Sequence, residues 1–106
     1  MIFREALKMR IADIENKIFT DTEYENFIAL AGGTATDTYD GSDSAHVKYL
    51  ELAEKECLQA ILNNPDNTKF NTFREGAYGK TLDTEGIRKR IERIEKKYHT
   101  TGMKSI

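Results

Sequence analysis

Gly79-Lys80-Thr81 has the residue types of a phosphate-binding loop. The full pattern is G-x-x-x-x-G-K-[ST], in which backbone N–H groups wrapped by glycines hold the phosphates. It requires a glycine at position 74, where this chain has Arg74. No apolar run typical of a buried strand precedes it, so the segment is predicted to be a plain turn without a nucleotide site.

Three aspartates could in principle bind calcium. Asp37, Asp40 and Asp43 surround a glycine, as in an EF-hand loop, which needs oxygen ligands at positions 1, 3 and 5 and a Glu at position 12. Counted from Asp37, those later positions are Tyr39, Gly41 and Lys48. The spacing fails, and a solvated acidic loop is the better interpretation.

The nucleophiles and bases are isolated. His46 and His99 have no Ser or Cys partner in a recognisable motif, and Cys57 falls on the apolar side of a helical pattern, where a core thiol is expected. A single cysteine excludes an internal disulfide, and no Cys/His cluster offers a zinc site. We therefore predict a protein that is not an enzyme and has no catalytic residue, cofactor or metal.

Apolar periodicity predicts a mainly α fold in one domain, residues 1–106, with three to four helices around a long central helix. The first helix is predicted within 2–18 from the stripe Phe3, Leu7, Ile11, Ile14 and Ile18, with Asn16 and Lys17 as weak points that favour an earlier end. A second begins at a Thr20/Glu23 capping box and stops at Gly32-Gly33, and the central helix runs from Ser44 to Asn63. Residues 68–82 are predicted to be a loop or a short β-hairpin, and the last helix covers 84–98.

Charge is divided unevenly along the chain. Residues 1–85 hold 9 Lys/Arg and 16 Asp/Glu (−7), whereas residues 86–106 hold 7 Lys/Arg and 2 Glu (+5), which together give the net charge of −2. An acidic body with a basic terminal segment can attract an acidic protein, nucleic acid or a second copy of itself.

The last helix is the predicted docking surface. It combines a narrow stripe of Ile87, Ile91, Ile94 and Tyr98, expected to seal against a helix or groove of a partner, with many cations. The predicted interface residues are Arg88, Arg90, Arg93, Lys97 and Tyr78. The alternatives are an ordinary solvated face and a nucleic-acid site, the latter disfavoured because the chain is acidic and the helix lacks interleaved aromatics.

Two stretches and the closing helix resemble a known family. The first stretch is Met1–Arg10, with Arg4-Glu5-Ala6-Leu7 near its start, and the second is Glu75-Gly76-Ala77-Tyr78-Gly79-Lys80-Thr81-Leu82-Asp83. The closing helix is Ile87–Tyr98. In this order the chain resembles the small head–tail connector (adaptor or head-completion) proteins of tailed bacteriophages and prophages. The resemblance implies a structural virion assembly protein that forms a homo-oligomeric ring joining portal and capsid to tail.

The resemblance also implies partners and a location. Expected partners are the protein's own copies and the portal and tail proteins. The expected location is the cytoplasm of the bacterial host and, after assembly, the virion. The N-terminal residues Met1-Ile2-Phe3-Arg4-Glu5 do not form the apolar run of a signal peptide, and no stretch is long and apolar enough for a membrane helix. The alternative function is a small helical regulatory or nucleic-acid-binding protein that uses the last helix.

Overall fold

A computed structural model of the protein describes residues 1–64 and 84–98, and its regular elements there are helices. They are α1 (Phe3–Ile11), α2 (Asp21–Ala31), α3 (Ser44–Leu62) and α4 (Thr84–Tyr98). The other three helices all pack on α3, and α1 also contacts α2. The predicted mainly α fold around a long central helix is confirmed. The loop or hairpin predicted for 68–82 lies outside the described residues.

The central helix α3 begins where the sequence predicts and ends within one residue of the predicted end. The Asp43 carboxylate accepts hydrogen bonds from the backbone N–H groups of Ala45 and His46, which are free donors in the first turn. The last helical residue is Leu62, one residue before the predicted end. The side chains of α3 that meet the other helices are buried, among them Leu50, Ala53, Cys57, Leu58 and Ile61.

The start of α2 confirms the predicted capping box. The Thr20 hydroxyl accepts from the Glu23 N–H at 3.2 Å, and the Glu23 carboxylate accepts from the Thr20 N–H at 2.9 Å. The rings of Phe19 and Tyr24 pack edge-to-face across this helix start, with centroids 5.5 Å apart, and form a hydrophobic staple. Gly32 ends the helix with φ +102°, a left-handed conformation that favours glycine.

The first helix is shorter than its apolar stripe predicts. It ends at Ile11, and Ala12 adopts a left-handed conformation with φ 64°. The prediction that Ile14 and Ile18 extend the apolar face of this helix was therefore wrong. Ile14 is 55% exposed, and Ile18 is buried but lies in the loop after the helix.

Asp13 explains this early end. Its buried carboxylate accepts from the backbone N–H groups of Lys17, Ile18 and Phe19 and from the Tyr24 hydroxyl, at 2.5–3.1 Å. These donors can converge on one carboxylate only if the chain leaves the helix and folds around it. The loop thus replaces helical hydrogen bonds with bonds to a charged acceptor, which are stronger than neutral ones.

The segment between α2 and α3 is tied to the start of α1. The Phe3 N–H donates to the Asp37 carbonyl at 2.9 Å, the Arg4 N–H donates to the Ala35 carbonyl at 3.1 Å, and the Tyr39 N–H donates to the Met1 carbonyl at 2.8 Å. The side chain of Ile2 provides no cap, so the carbonyls of Asp37 and Ala35 satisfy two free N–H groups of the first turn. The predicted exposed loop is therefore also a structural part of the helix start.

Candidate protein interface on the last helix

The apolar stripe of α4 faces the protein's own core. Ile87 and Ile94 are almost completely buried, and Ile91 is only 8% exposed. The prediction that this stripe docks on a partner was wrong, because α3 already covers it. A narrow stripe is sufficient to seal one helix against one neighbour, and here that neighbour lies in the same chain.

Glu54 joins three helices through one carboxylate. This side chain is completely buried in α3. Arg90 of α4 donates to it through Nε at 3.2 Å and through Nη2 at 3.0 Å, and Arg10 of α1 donates through Nε at 2.9 Å. A buried charge must be paired and hydrogen-bonded to be tolerated, and these two guanidinium groups meet both requirements.

Glu51 adds a second anchor one turn earlier in α3. Lys97 donates to its carboxylate at 2.8 Å, and the Tyr98 hydroxyl donates to the same oxygen. Partial burial alone would raise the pKa of Glu51, but the hydrogen bonds from Lys97 and Tyr98 outweigh it, and its pKa is lowered. Burial and the hydrogen bond to Glu51 raise the pKa of Tyr98.

The structure therefore places two predicted interface residues in internal contacts. Arg90 and Lys97 bind Glu54 and Glu51 of the same chain. The sequence indicates attraction between an acidic body and a basic helix, but charge counts cannot tell whether that attraction acts within one copy or between copies. Here an important part of it acts within one copy. Tyr78 lies outside the described residues.

The opposite side of α4 carries cations that these anchors do not use. Arg88 and Arg93 are exposed, and so are Lys89 and Lys96, which the sequence prediction did not name. We call these four residues the cationic face. In the part of the chain that the structure describes, none of the four comes within 4.0 Å of a carboxylate oxygen. Lys89 and Lys96 could have been predicted from the sequence, because their positions in the helix lie opposite the isoleucine stripe.

A carboxylate interrupts this face. Glu92 is exposed, one turn after Arg88 and one turn before Lys96. A phosphate backbone lying along the helix would meet this negative charge between two cations. A protein surface that contains both carboxylates and a cation or a hydrogen-bond donor matches the pattern better.

Cys57 and His46 occupy structural positions. The Cys57 thiol is fully buried, and burial raises its pKa well above the ordinary value, so it is not held as a thiolate nucleophile. His46 lies at the start of α3, where its Nδ1 accepts from the Asp40 N–H at 3.0 Å and its ring packs against Phe3 with centroids 4.9 Å apart. The predicted core position of the Cys57 thiol is confirmed.

The aspartates of the acidic loop bind the loop's own backbone. Asp40 accepts from the N–H and hydroxyl groups of Ser42, and these hydrogen bonds lower its pKa. Asp43 caps α3. Across residues 1–64 and 84–98, no group of three or more His, Cys, Asp or Glu side chains is arranged to hold a metal ion.

Comparison of the chain with protein-family models, with curated proteins and with solved structures found no match in any of the three. The molecule is thus defined by its own geometry: a mainly helical protein whose last helix is anchored by its inner face and presents cations outward. Among the described helices, none has the length and apolar character needed to cross a membrane.

Proposed function

We propose that the protein is a non-enzymatic assembly subunit that docks on acidic protein surfaces through the cationic face of α4. The observation that carries this proposal is the separation of the two sides of α4. Its inner cations are neutralised by Glu51 and Glu54, whereas Arg88, Lys89, Arg93 and Lys96 remain directed to solvent. These outer cations contribute nothing to the internal anchors, which makes them available for an external partner.

The anchors also make α4 a rigid platform. Three buried isoleucines and the bonds to Glu51 and Glu54 fix the helix on α3. A partner therefore does not have to order the backbone of this helix when it binds, and less free energy is lost on association. Rigid placement also fixes the spacing of the outer cations, which favours one register over others.

A protein partner fits this face better than nucleic acid. Glu92 lies among the outer cations, and the whole chain carries a net charge of −2. Binding to a phosphate backbone depends on counterion release by several uninterrupted cations. The nucleic-acid alternative is tested by fluorescence anisotropy with duplex DNA at two salt concentrations. Strongly salt-dependent binding would favour it over the protein partner.

The resemblance to head–tail connector proteins supplies the kind of assembly. On that basis the protein acts as a virion assembly subunit that joins portal and capsid to tail in an oligomeric ring. Its partners are other copies, the portal protein and tail proteins, and it moves from the host cytoplasm into the virion. A ring of this kind needs two different surfaces on each subunit, and a polarised charge distribution suits such a contact.

The test is co-sedimentation with the portal protein of the same phage or prophage. Arg93→Glu reverses one charge of the cationic face, and Lys17→Glu is the matched control, because Lys17 is also exposed and is remote from α4 in sequence. We expect Arg93→Glu to lose most of the sedimenting complex and Lys17→Glu to keep it. Equal recovery of both variants with portal would reject α4 as the docking site.

A further inference from the structure

A second surface of the protein carries negative charge that its own cations do not neutralise. Asp37, Asp40 and Asp43 are exposed in the segment before α3, and we call these three residues the acidic loop. Among the described residues, no Lys or Arg nitrogen lies within 4.0 Å of their carboxylates. By contrast, the acidic side chains at the start of α2 include two that are paired with cations of α1: Glu25 with Arg4, and Asp21 with Lys8.

The acidic loop is held in one conformation by the body of the protein. Backbone hydrogen bonds link its start to α1, and the Tyr39 ring packs edge-on against Phe3, with centroids 5.3 Å apart. The Asp40 N–H donates to His46, and Asp43 begins α3. Its charges are therefore positioned before any partner arrives, as are those of α4.

Among the described residues, no ion pair joins the two charged surfaces within one copy. The inner side of α4 lies on α3, so the cationic face on its opposite side points away from the protein's own body. The acidic loop lies at the start of α1 and α3. A contact between copies that joins the two surfaces uses a different surface on each copy, which is a head-to-tail arrangement.

We infer that the acidic loop of one copy binds the cationic face of α4 of the next copy. This inference rests on the proposed function and names the surfaces of its self-contact. It assigns Asp37, Asp40 and Asp43 to one side and Arg88, Lys89, Arg93 and Lys96 to the other. Glu51, Glu54, Arg90 and Lys97 are excluded from the contact, because they bind one another inside the subunit.

The test is sedimentation velocity of two complementary variants at low ionic strength, where charge attraction is least screened. The loop variant is Asp37→Lys with Asp40→Lys, and the helix variant is Arg88→Glu with Arg93→Glu. We expect the wild type to associate with increasing concentration and each variant alone to associate at least about tenfold more weakly. An equimolar mixture of the two variants should regain association, because every contact in an alternating chain is again between opposite charges.

The mixture also controls for folding, since a misfolded variant would not be rescued by the other. A neutral loop variant, Asp37→Asn with Asp40→Asn, retains an oxygen that can accept from Ser42 and should weaken association less than the reversal. Wild-type protein that stays monomeric up to about 1 mM would overturn the inference. So would variants that associate like the wild type, or a mixture without rescue.

The failure of this inference is distinguishable from failure of the proposed function. If the wild type stays monomeric while Arg93→Glu still abolishes portal binding, α4 docks on other proteins and the self-contact is rejected. If the mixture is rescued while portal binding is insensitive to Arg93→Glu, the self-contact is supported and the portal site lies elsewhere.

Discussion

The guanidinium group of Arg90 forms two hydrogen bonds, at 3.2 and 3.0 Å, with the fully buried carboxylate of Glu54. Arg10 donates a third bond to the same carboxylate, so α1, α3 and α4 meet at one negative charge. Burial of that carboxylate is unfavourable unless its oxygens are satisfied, which makes the position of α4 dependent on both arginines. The inner cations of α4 are thus structural, whereas its outer cations are exposed to solvent.

Removal of Glu54 is expected to destabilise the protein strongly. Glu54→Ala leaves Arg10 and Arg90 without their shared acceptor and should lower the free energy of unfolding by about 3 kcal/mol. Glu56→Ala is the matched control on the same helix. Glu56 is partly exposed and its ion pair with Lys55 is long, at 3.7 Å, so a loss below about 1 kcal/mol is expected. Urea unfolding of both variants checks this, and similar losses would refute the anchoring role of Glu54.

The buried pair Asp13 and Tyr24 is expected to be energetically coupled. Tyr24→Phe removes one of the four donors to Asp13 and should cost about 1 kcal/mol, whereas Asp13→Ala removes the acceptor that all four share and should cost about 3 kcal/mol. In a double-mutant cycle the two changes should therefore be non-additive, by about 1 kcal/mol. Additive losses in chemical denaturation would mean that this hydrogen bond contributes little to closing the loop after α1.

Acid is expected to weaken the attachment of α4 through Glu51. Its pKa is lowered from the ordinary value of 4.5, so ionised Glu51 stabilises the folded state at higher pH. That stabilisation is lost as the pH falls through the lowered pKa. Below about pH 4.5, the free energy of unfolding should therefore fall more steeply for the wild type than for Glu51→Gln. Parallel pH profiles of the two proteins would contradict the assignment.

The buried thiol is expected to be unreactive in the folded protein. Cys57 is fully buried and its pKa is raised, so a thiol reagent such as dithionitrobenzoate must wait for the core to open. Labelling should be slow in buffer and should reach one equivalent quickly in concentrated guanidinium. Rapid labelling without denaturant would show that α3 does not hold this side chain as the structure places it.

Local signals in the sequence were sufficient to predict where α2 begins and ends. The capping box of Thr20 and Glu23 and the stop at Gly32 depend on residues within four positions of each other, so spacing alone predicts them. The end of α1 could not be predicted in this way. It depends on Asp13 meeting the Tyr24 hydroxyl, eleven residues later, and the isoleucine spacing continues past the true end.

The prediction of interface residues on α4 also failed where it depended on a contact between residues that are distant in sequence. The basic character of α4 is visible in the sequence, but Arg90 meets Glu54 across 36 positions. Arg88 and Arg90 look equivalent as residue types, and only the fold directs one outward and the other inward. Arg88 and Arg93 therefore remain interface predictions, while Arg90 is a structural residue.

The central claim is that the cationic face of α4 docks on a partner without supporting the fold. Its most direct test is the affinity of Arg88→Glu with Arg93→Glu for the portal protein, with the free energy of unfolding measured on the same preparation. We predict that the unfolding free energy stays within about 0.5 kcal/mol of the wild type, because both side chains are exposed. We predict that the affinity falls by about 100-fold or more. An unchanged affinity with an intact fold would contradict the claim.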